Sequence, residues 1–100
     1  MTITENKTPI SIELVIAGRL DTGTAPELEV KLKEIAADTQ TLYLNMKDVS
    51  YISSAGLRVV LLAHKLMLPS GGKMIIKSPS EFCKQVLSAT GMDSILSIEA

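Results

Sequence analysis

The sequence predicts an α/β fold, because segments that alternate like β-strands are interleaved with segments that have helical periodicity. The predicted order is β-β-α-β-α-β-α-β within 100 residues, the length of one domain. Strands that alternate with helices form a mostly parallel sheet through right-handed crossovers. We therefore expect a single domain over residues 1–100, with a mixed, mostly parallel sheet, an N-terminal β-hairpin and three to four helices.

The N-terminal hairpin is predicted from two segments near the start of the chain. Residues 2–5 alternate weakly, residues 6–8 form the expected turn, and residues 10–17 are the stronger strand, which residues 18–23 end. The following side chains of that second strand share one face: Ile10, Ile12, Leu14 and Ile16.

Residues 24–36 predict the first helix. Thr24 followed by Glu27 is the pattern of a capping box, and Pro26 is tolerated in the first turn. Residues 38–40 end the helix. Its apolar side chains form one stripe at helical spacing: Leu28, Leu32, Ile35 and Ala36.

The next strand and helix form the middle of the domain. Residues 41–46 predict a central, largely buried strand, with Leu42, Leu44 and Met46 on one face. Residues 57–67 are apolar almost all round, so we expect a helix that is packed on more than one side.

The C-terminal part of the chain predicts one more strand, a helix and a closing strand. Residues 69–72, Pro-Ser-Gly-Gly, are a strong stop and turn, and residues 73–77 are a short strand. Residues 78–81 open the last helix, Gly91 ends it, and residues 95–98 are the closing strand. The expected apolar face of that helix comprises Phe82, Cys83, Val86, Leu87 and Ala89.

Composition and charge exclude several classes of function. The net charge of −1 and the pI near 5.7 do not provide the basic surface that nucleic acid or anionic lipid requires. One cysteine, Cys83, permits neither an internal disulfide nor a cysteine-built metal site. Residues 1–7 lack a signal-peptide core, and His64 and Lys65 interrupt the longest apolar run. These observations favour a cytoplasmic protein with no nucleic-acid partner, no membrane insertion, no metal and no cofactor.

The residues also argue against an enzyme. A serine nucleophile needs a base within hydrogen-bond reach, and the only histidine, His64, is ten residues beyond Ser54. On one helix that spacing is roughly 15 Å, which is too far for proton transfer. The glycines do not have the spacing of a phosphate-binding loop.

Ser53 and Ser54 lie where a strand is followed by a helix. The first N–H groups of a helix have no intrahelical partner, so an oxygen acceptor or an anion is stabilised there. A pair of serines before an apolar run is most often a helix cap alone. The two roles can coexist: if Ser53 caps the helix, the Ser54 hydroxyl in the first turn is free for chemistry.

Residues 48–57, Asp-Val-Ser-Tyr-Ile-Ser-Ser-Ala-Gly-Leu, resemble the signature of the STAS domain of bacterial anti-sigma factor antagonists. The resemblance extends over essentially the whole chain. It includes residues 18–21 (Gly-Arg-Leu-Asp), residues 24–28 (Thr-Ala-Pro-Glu-Leu), the Gly-Gly-Lys turn at 71–73, Pro79 and Gly91.

This resemblance implies a STAS fold and a protein-binding module that is not an enzyme. In that family an anti-sigma factor, itself a serine kinase, phosphorylates a serine that corresponds to Ser54, and a serine phosphatase is the further partner implied. Ser53 replaces the aspartate of the family pattern and Ala55 its second serine or threonine, which leaves Ser53 as the alternative acceptor. The alternative function is a phosphorylation-independent STAS subunit of an ABC-type lipid transport system.

The expected docking surface combines two loops. Both follow strands, and the ends of parallel strands meet at one edge of a sheet, so the loops should lie together and bind a larger ATP-binding protein. The residues predicted to bind this partner are Asp21, Thr22, Thr24, Ser53, Ser54, Gly56 and Arg58.

Overall fold

A computed structural model of the protein describes residues 1–35 and 39–100. The predicted order of elements is confirmed, and three α-helices are described. The predicted end of the first helix, at Ala36 and residues 38–40, lies largely outside the described residues. The elements are β1 (Thr2–Lys7), β2 (Ser11–Leu20), α1 (Ala25–Ile35), β3 (Thr41–Ile52), α2 (Ser54–Met67), β4 (Lys73–Lys77), α3 (Glu81–Ala89), a 3₁₀ turn (Met92–Ser94) and β5 (Ser97–Glu99).

The five strands form one mixed sheet in the order β1-β2-β3-β4-β5. β1 pairs with β2 antiparallel, and the remaining neighbours are parallel. The predicted N-terminal hairpin and mostly parallel sheet are therefore confirmed. Because β2 to β5 advance in one direction, right-handed crossovers place the three helices on the same face of the sheet.

The core lies between that face and the layer of helices. Alternate side chains of the strands, such as Leu14, Leu44 and Ile76, are fully buried there. They belong to one apolar cluster with buried residues of all three helices, such as Leu28, Val60 and Leu87. Burial of a leucine or isoleucine contributes about 1.5–3 kcal/mol, so this cluster is the main source of stability.

The opposite face of the sheet carries polar side chains. Asn45 is buried, and its Nδ2 donates to Glu13 Oε2 at 2.9 Å. Lys77 Nζ lies 3.6 Å from the same oxygen and 6.0 Å from the Tyr43 ring centre. Asn45 and Lys77 thus both contact the Glu13 carboxylate, which satisfies their polar groups on this face of the sheet.

β3 continues six residues beyond the predicted end at Met46 and carries the chain to Ser53. Its pairing with β2 shifts register twice, between Val15 and Ala17 and between Gly18 and Arg19. β4 pairs only with the first part of β3. Farther along the same edge of β3, Ser80 makes the hydrogen bonds. Ser80 N donates to Met46 O at 3.1 Å, and its hydroxyl donates to Val49 O at 2.7 Å.

Other details of the predicted elements are also wrong, and β1 extends to Lys7 and β2 to Leu20, beyond their predicted ends. Ile10 precedes β2 and is 60% exposed, because residues 8–11 form a turn in which the Ser11 N–H bonds to the Thr8 hydroxyl. α3 buries Cys83 and Leu87, one turn apart, so Phe82 and Ala89 face solvent. The closing strand begins at Ser97, because the Ile95 and Leu96 N–H groups bond to Met92 O and so belong to the end of the 3₁₀ turn.

Candidate functional site

The N-terminus of α2 has the cap geometry that the two serines predict. Ser53 is extended, with φ −94° and ψ 175°, and its Oγ accepts from the Gly56 N–H at 3.3 Å. Ser54 is the first residue of the helix, and it is exposed. The two hydroxyls therefore differ: one is used by the helix and the other faces solvent.

Gly56 lets α2 approach the end of β2 closely. A Cβ on Gly56 would lie 2.6 Å from Leu20 O, 2.8 Å from Leu20 Cγ and 3.0 Å from Ile52 Cγ1. Contacts this short do not occur without a shift of the backbone. Gly56 is buried, so the structure gives it a packing role beneath the surface that the serines form.

The loop between β2 and α1 lies beside the serines, as the parallel arrangement predicts. Ser53 N donates to Leu20 O at 3.0 Å and so joins the two loops. Asp21 Oδ1 accepts from Gly23 N at 3.0 Å and from Thr24 N at 3.2 Å. Of the remaining loop residues, Thr22 is exposed.

The predicted capping box at Thr24 and Glu27 is wrong. The Thr24 hydroxyl donates to Arg19 O at 2.8 Å and accepts from Asp21 N at 2.9 Å, so it points back into the loop. The Glu27 N–H bonds to the Thr24 carbonyl at 3.0 Å. Thr24 thus closes the loop rather than capping α1 with its side chain.

Asp21 is the ionised centre of this loop. Desolvation acts to raise the pKa of its carboxyl group, but hydrogen bonds from Thr24, Gly23 and Arg19 together hold the pKa below its ordinary value. Arg19 Nε lies 3.5 Å from Asp21 Oδ2. The loop is therefore ordered by a carboxylate that is charged at neutral pH.

One group of surface residues was not found from the sequence. Arg19 Cζ lies 4.2 Å from the centre of the Tyr51 ring, and the ring centres of Tyr51 and Phe82 are 5.5 Å apart. We call these three side chains the aromatic row. Tyr51 lies within residues 48–57, the segment that contains both serines. The sequence alone does not show that Tyr51 contacts Arg19, because their pairing depends on a register shift in β3.

Comparison with known proteins identifies the family. The family model described as STAS domain matches residues 2–100. The chain belongs to the STAS domain family. It is 35% identical over 89 residues to the anti-sigma-B factor antagonist of Bacillus subtilis, covering 89% of this chain and 82% of that protein.

Solved structures confirm the STAS fold. The anti-sigma factor antagonist SpoIIAA in its unphosphorylated form superposes with a TM-score of 0.85 at 18% identity, over 99% of this chain and 89% of that one. The phosphorylated form of SpoIIAA, a Bacillus cell fate determinant, superposes with a TM-score of 0.79 at 19% identity, over 99% and 91%. At these identities the likeness concerns the fold.

The exposed residues of this STAS domain form a surface at one edge of the sheet. Thr22, Ser54 and Arg58 are exposed, whereas Asp21, Thr24 and Ser53 are half-buried and tie the loops together. The structure brings the two predicted loops together through the Ser53–Leu20 hydrogen bond. An exposed hydroxyl among ordered polar loops suits protein docking and modification.

The single cysteine of this STAS domain lies in the core. Cys83 is buried, and burial raises the pKa of its thiol, so it packs as a core residue. Among residues 1–35 and 39–100, no three His, Cys, Asp or Glu side chains are grouped to hold a metal ion. In the same part of the chain, no helix has the length and apolar character to cross a bilayer.

Proposed function

We propose that this STAS domain is an anti-sigma factor antagonist that sequesters an anti-sigma factor serine kinase and is released when Ser54 is phosphorylated. The exposed Ser54 hydroxyl at the start of α2, beside the capping Ser53, carries the proposal. The name of the Bacillus subtilis relative supports the partner class, and the existence of a phosphorylated form of SpoIIAA supports the mode of regulation.

The cap favours Ser54 over Ser53 as the acceptor. The Ser53 hydroxyl oxygen accepts the Gly56 N–H, so a kinase that modified it would have to break the helix cap. Loss of such a cap costs about 1 kcal/mol. Ser54 can be modified without that cost, because its side chain faces solvent.

The charge of a phosphate accounts for release. A phosphoryl group adds about −1.5 to −2 charges at neutral pH. At an exposed helix N-terminus it gains only about 0.3–1 kcal/mol from the dipole. Within a docked interface, a like charge opposite it costs several kcal/mol. The second effect is larger, so phosphorylation dissociates the partner while the domain stays folded.

The direct test is capture of the partner followed by measurement of its affinity. The tagged wild-type chain is used to capture proteins from an extract of its own organism without ATP, and the captured kinase is purified. Ser54→Asp should weaken its binding by about 3 kcal/mol, a little over a hundredfold, because the carboxylate supplies part of the phosphate's repulsion. Ser54→Ala should bind like the wild type and resist release by ATP.

Two outcomes would contradict the proposal. One is equal binding by Ser54→Asp and the wild type, with a wild-type complex that ATP leaves intact. The other is capture of an ABC-type transporter ATPase alone, which would favour the phosphorylation-independent alternative. Ser53→Ala is the matched control for the loss of a neighbouring hydroxyl: it should still be phosphorylated and released.

A further inference from the structure

We propose that the aromatic row of Arg19, Tyr51 and Phe82 is a second anchor of the same docking surface and binds a carboxylate-bearing, partly apolar patch on the kinase. The inference rests on the proposed function, because it takes the same partner. It extends the contact from the start of α2 to the start of α3.

A register shift in β3 builds the row. Gly18 is paired with Val49, but Arg19 is paired with Tyr51, so Ser50 is an extra residue on β3. If the register of Gly18 and Val49 continued without this shift, Tyr51 would pair with Leu20, which is fully buried. The bulge therefore turns Tyr51 from the core towards the Arg19 side chain, and Phe82 of α3 completes the row.

The row concentrates the residue types that dominate protein interfaces. The chain has two tyrosines and one phenylalanine, and two of these three aromatic residues lie here. One of the two arginines is the third member. Phe82 is 38% exposed and the Arg19 side chain 62%. Aromatic residues and arginine are enriched among the side chains that contribute most binding energy.

The free donors of Arg19 define the partner's chemistry. The ion pair with Asp21 uses Nε, so the two terminal amino groups are directed to no carboxylate among the residues that the structure describes. Their planar fork matches a carboxylate. Stacking on Tyr51 holds the guanidinium in place, and the Phe82 ring offers an adjacent apolar contact.

The row is continuous with the surface around Ser54. Leu20, next to Arg19, accepts the backbone hydrogen bond of Ser53 at 3.0 Å. Tyr51 lies near the end of β3, two residues before Ser53. A partner that covers Ser54 at this edge of the sheet therefore lies within reach of the row.

The test measures affinity of the purified kinase, captured by the wild-type chain, for matched variants by calorimetry. Phe82→Ala and Arg19→Gln should each weaken binding about tenfold or more. Arg19→Gln should also flatten the dependence of affinity on salt, which a purely structural role would not change. Arg19→Glu should bind more weakly than Arg19→Gln, because it opposes the partner's carboxylate.

The control is Ile10→Ala, which removes a more exposed apolar side chain from the turn before β2, at the other end of that strand from Arg19, and should bind like the wild type. Thermal unfolding of each variant shows whether a loss of affinity comes from a loss of stability. The arginine variants keep the test valid if Phe82→Ala folds poorly.

Affinities within twofold of wild type for Phe82→Ala and Arg19→Gln, with Ser54→Asp still defective, would overturn this inference alone. Absence of any kinase bound to the wild type would overturn the proposed function as well.

Discussion

Asp21 shows how a single charge orders a loop of the site. Its carboxylate accepts two backbone N–H groups and faces the Arg19 side chain. Each of these contacts is stronger with the ionised carboxylate than with the protonated acid. The loop therefore depends on pH through this one residue.

The pH dependence of stability should report this charge. The pKa of Asp21 in the folded protein lies below the ordinary value of 3.8, so its contribution is present above pH 3.8 and is lost as the pH falls through the folded value. Asp21→Asn keeps an acceptor oxygen but removes the charge. The melting temperatures of wild type and variant should differ at neutral pH and converge on acidification; parallel curves would contradict the assignment.

The sequence predicted single residues well where their partners are local. Ser53 caps a helix that begins at the next residue, and this needs only the strand–helix boundary. The capping box predicted at Thr24 is wrong because its hydroxyl oxygen accepts from the Asp21 N–H instead of the Glu27 N–H, while its proton goes to the Arg19 carbonyl. Arg19 and Tyr51 were missed because a bulge sets their pairing.

At the scale of elements, the site depends on how α2 meets the end of β2. The close approach at Gly56 places the first turn of α2 against Leu20. The same contact brings the loop after β2 next to Ser53. The position of the exposed serine thus follows from helix packing.

Gly56→Ala should destabilise the protein although alanine favours helices. The gain in helix propensity is about 1 kcal/mol, but a Cβ 2.6 Å from the Leu20 carbonyl oxygen requires a backbone shift, and overpacking of this kind costs about 1–3 kcal/mol. Urea unfolding measures the difference. Gly23→Ala is the control: its Cβ would lie 3.5 Å from Asp21 Oδ1, an ordinary contact, so a change within about 0.5 kcal/mol is expected. Equal losses for both variants would refute the steric argument.

Element types were predictable, but several boundaries were not, and the end of β3 differs most. The alternation of Leu42, Leu44 and Met46 indicates a strand, whereas Lys47 and Asp48 interrupt the pattern and suggested its end. The strand continues because β2 pairs with it through two register shifts and Ser80 bonds to its other edge. These are long-range contacts, which no local pattern contains.

At the scale of the whole molecule, the core and the site occupy different places. The helices pack on one face of the sheet around a single apolar cluster, and Ser54 lies at the rim outside it. The alternation of elements was sufficient to predict this class of fold. The order of strands in the sheet was not predicted, because it is decided by packing between segments that are distant in sequence.

This separation predicts a switch that does not involve unfolding. Ser54→Asp should change the free energy of unfolding by no more than about 0.5 kcal/mol, since an acidic residue suits the start of a helix. Ser53→Ala should lose about 1 kcal/mol through the cap, and Leu44→Ala about 2–5 kcal/mol through a core cavity. Chemical denaturation of the three variants gives this ranking. A loss for Ser54→Asp larger than that for Ser53→Ala would show that the switch acts through stability.

The division of work between the two neighbouring serines affects how such a domain can evolve. The Ser53 side chain, not that of Ser54, caps α2. Natural selection can therefore remove, restore or replace the Ser54 hydroxyl without a compensating change elsewhere in the chain. Under the proposed function, a descendant that lost Ser54 would keep its fold and bind its partner permanently. Regulation can thus be gained or lost by one substitution, while the architecture is inherited unchanged.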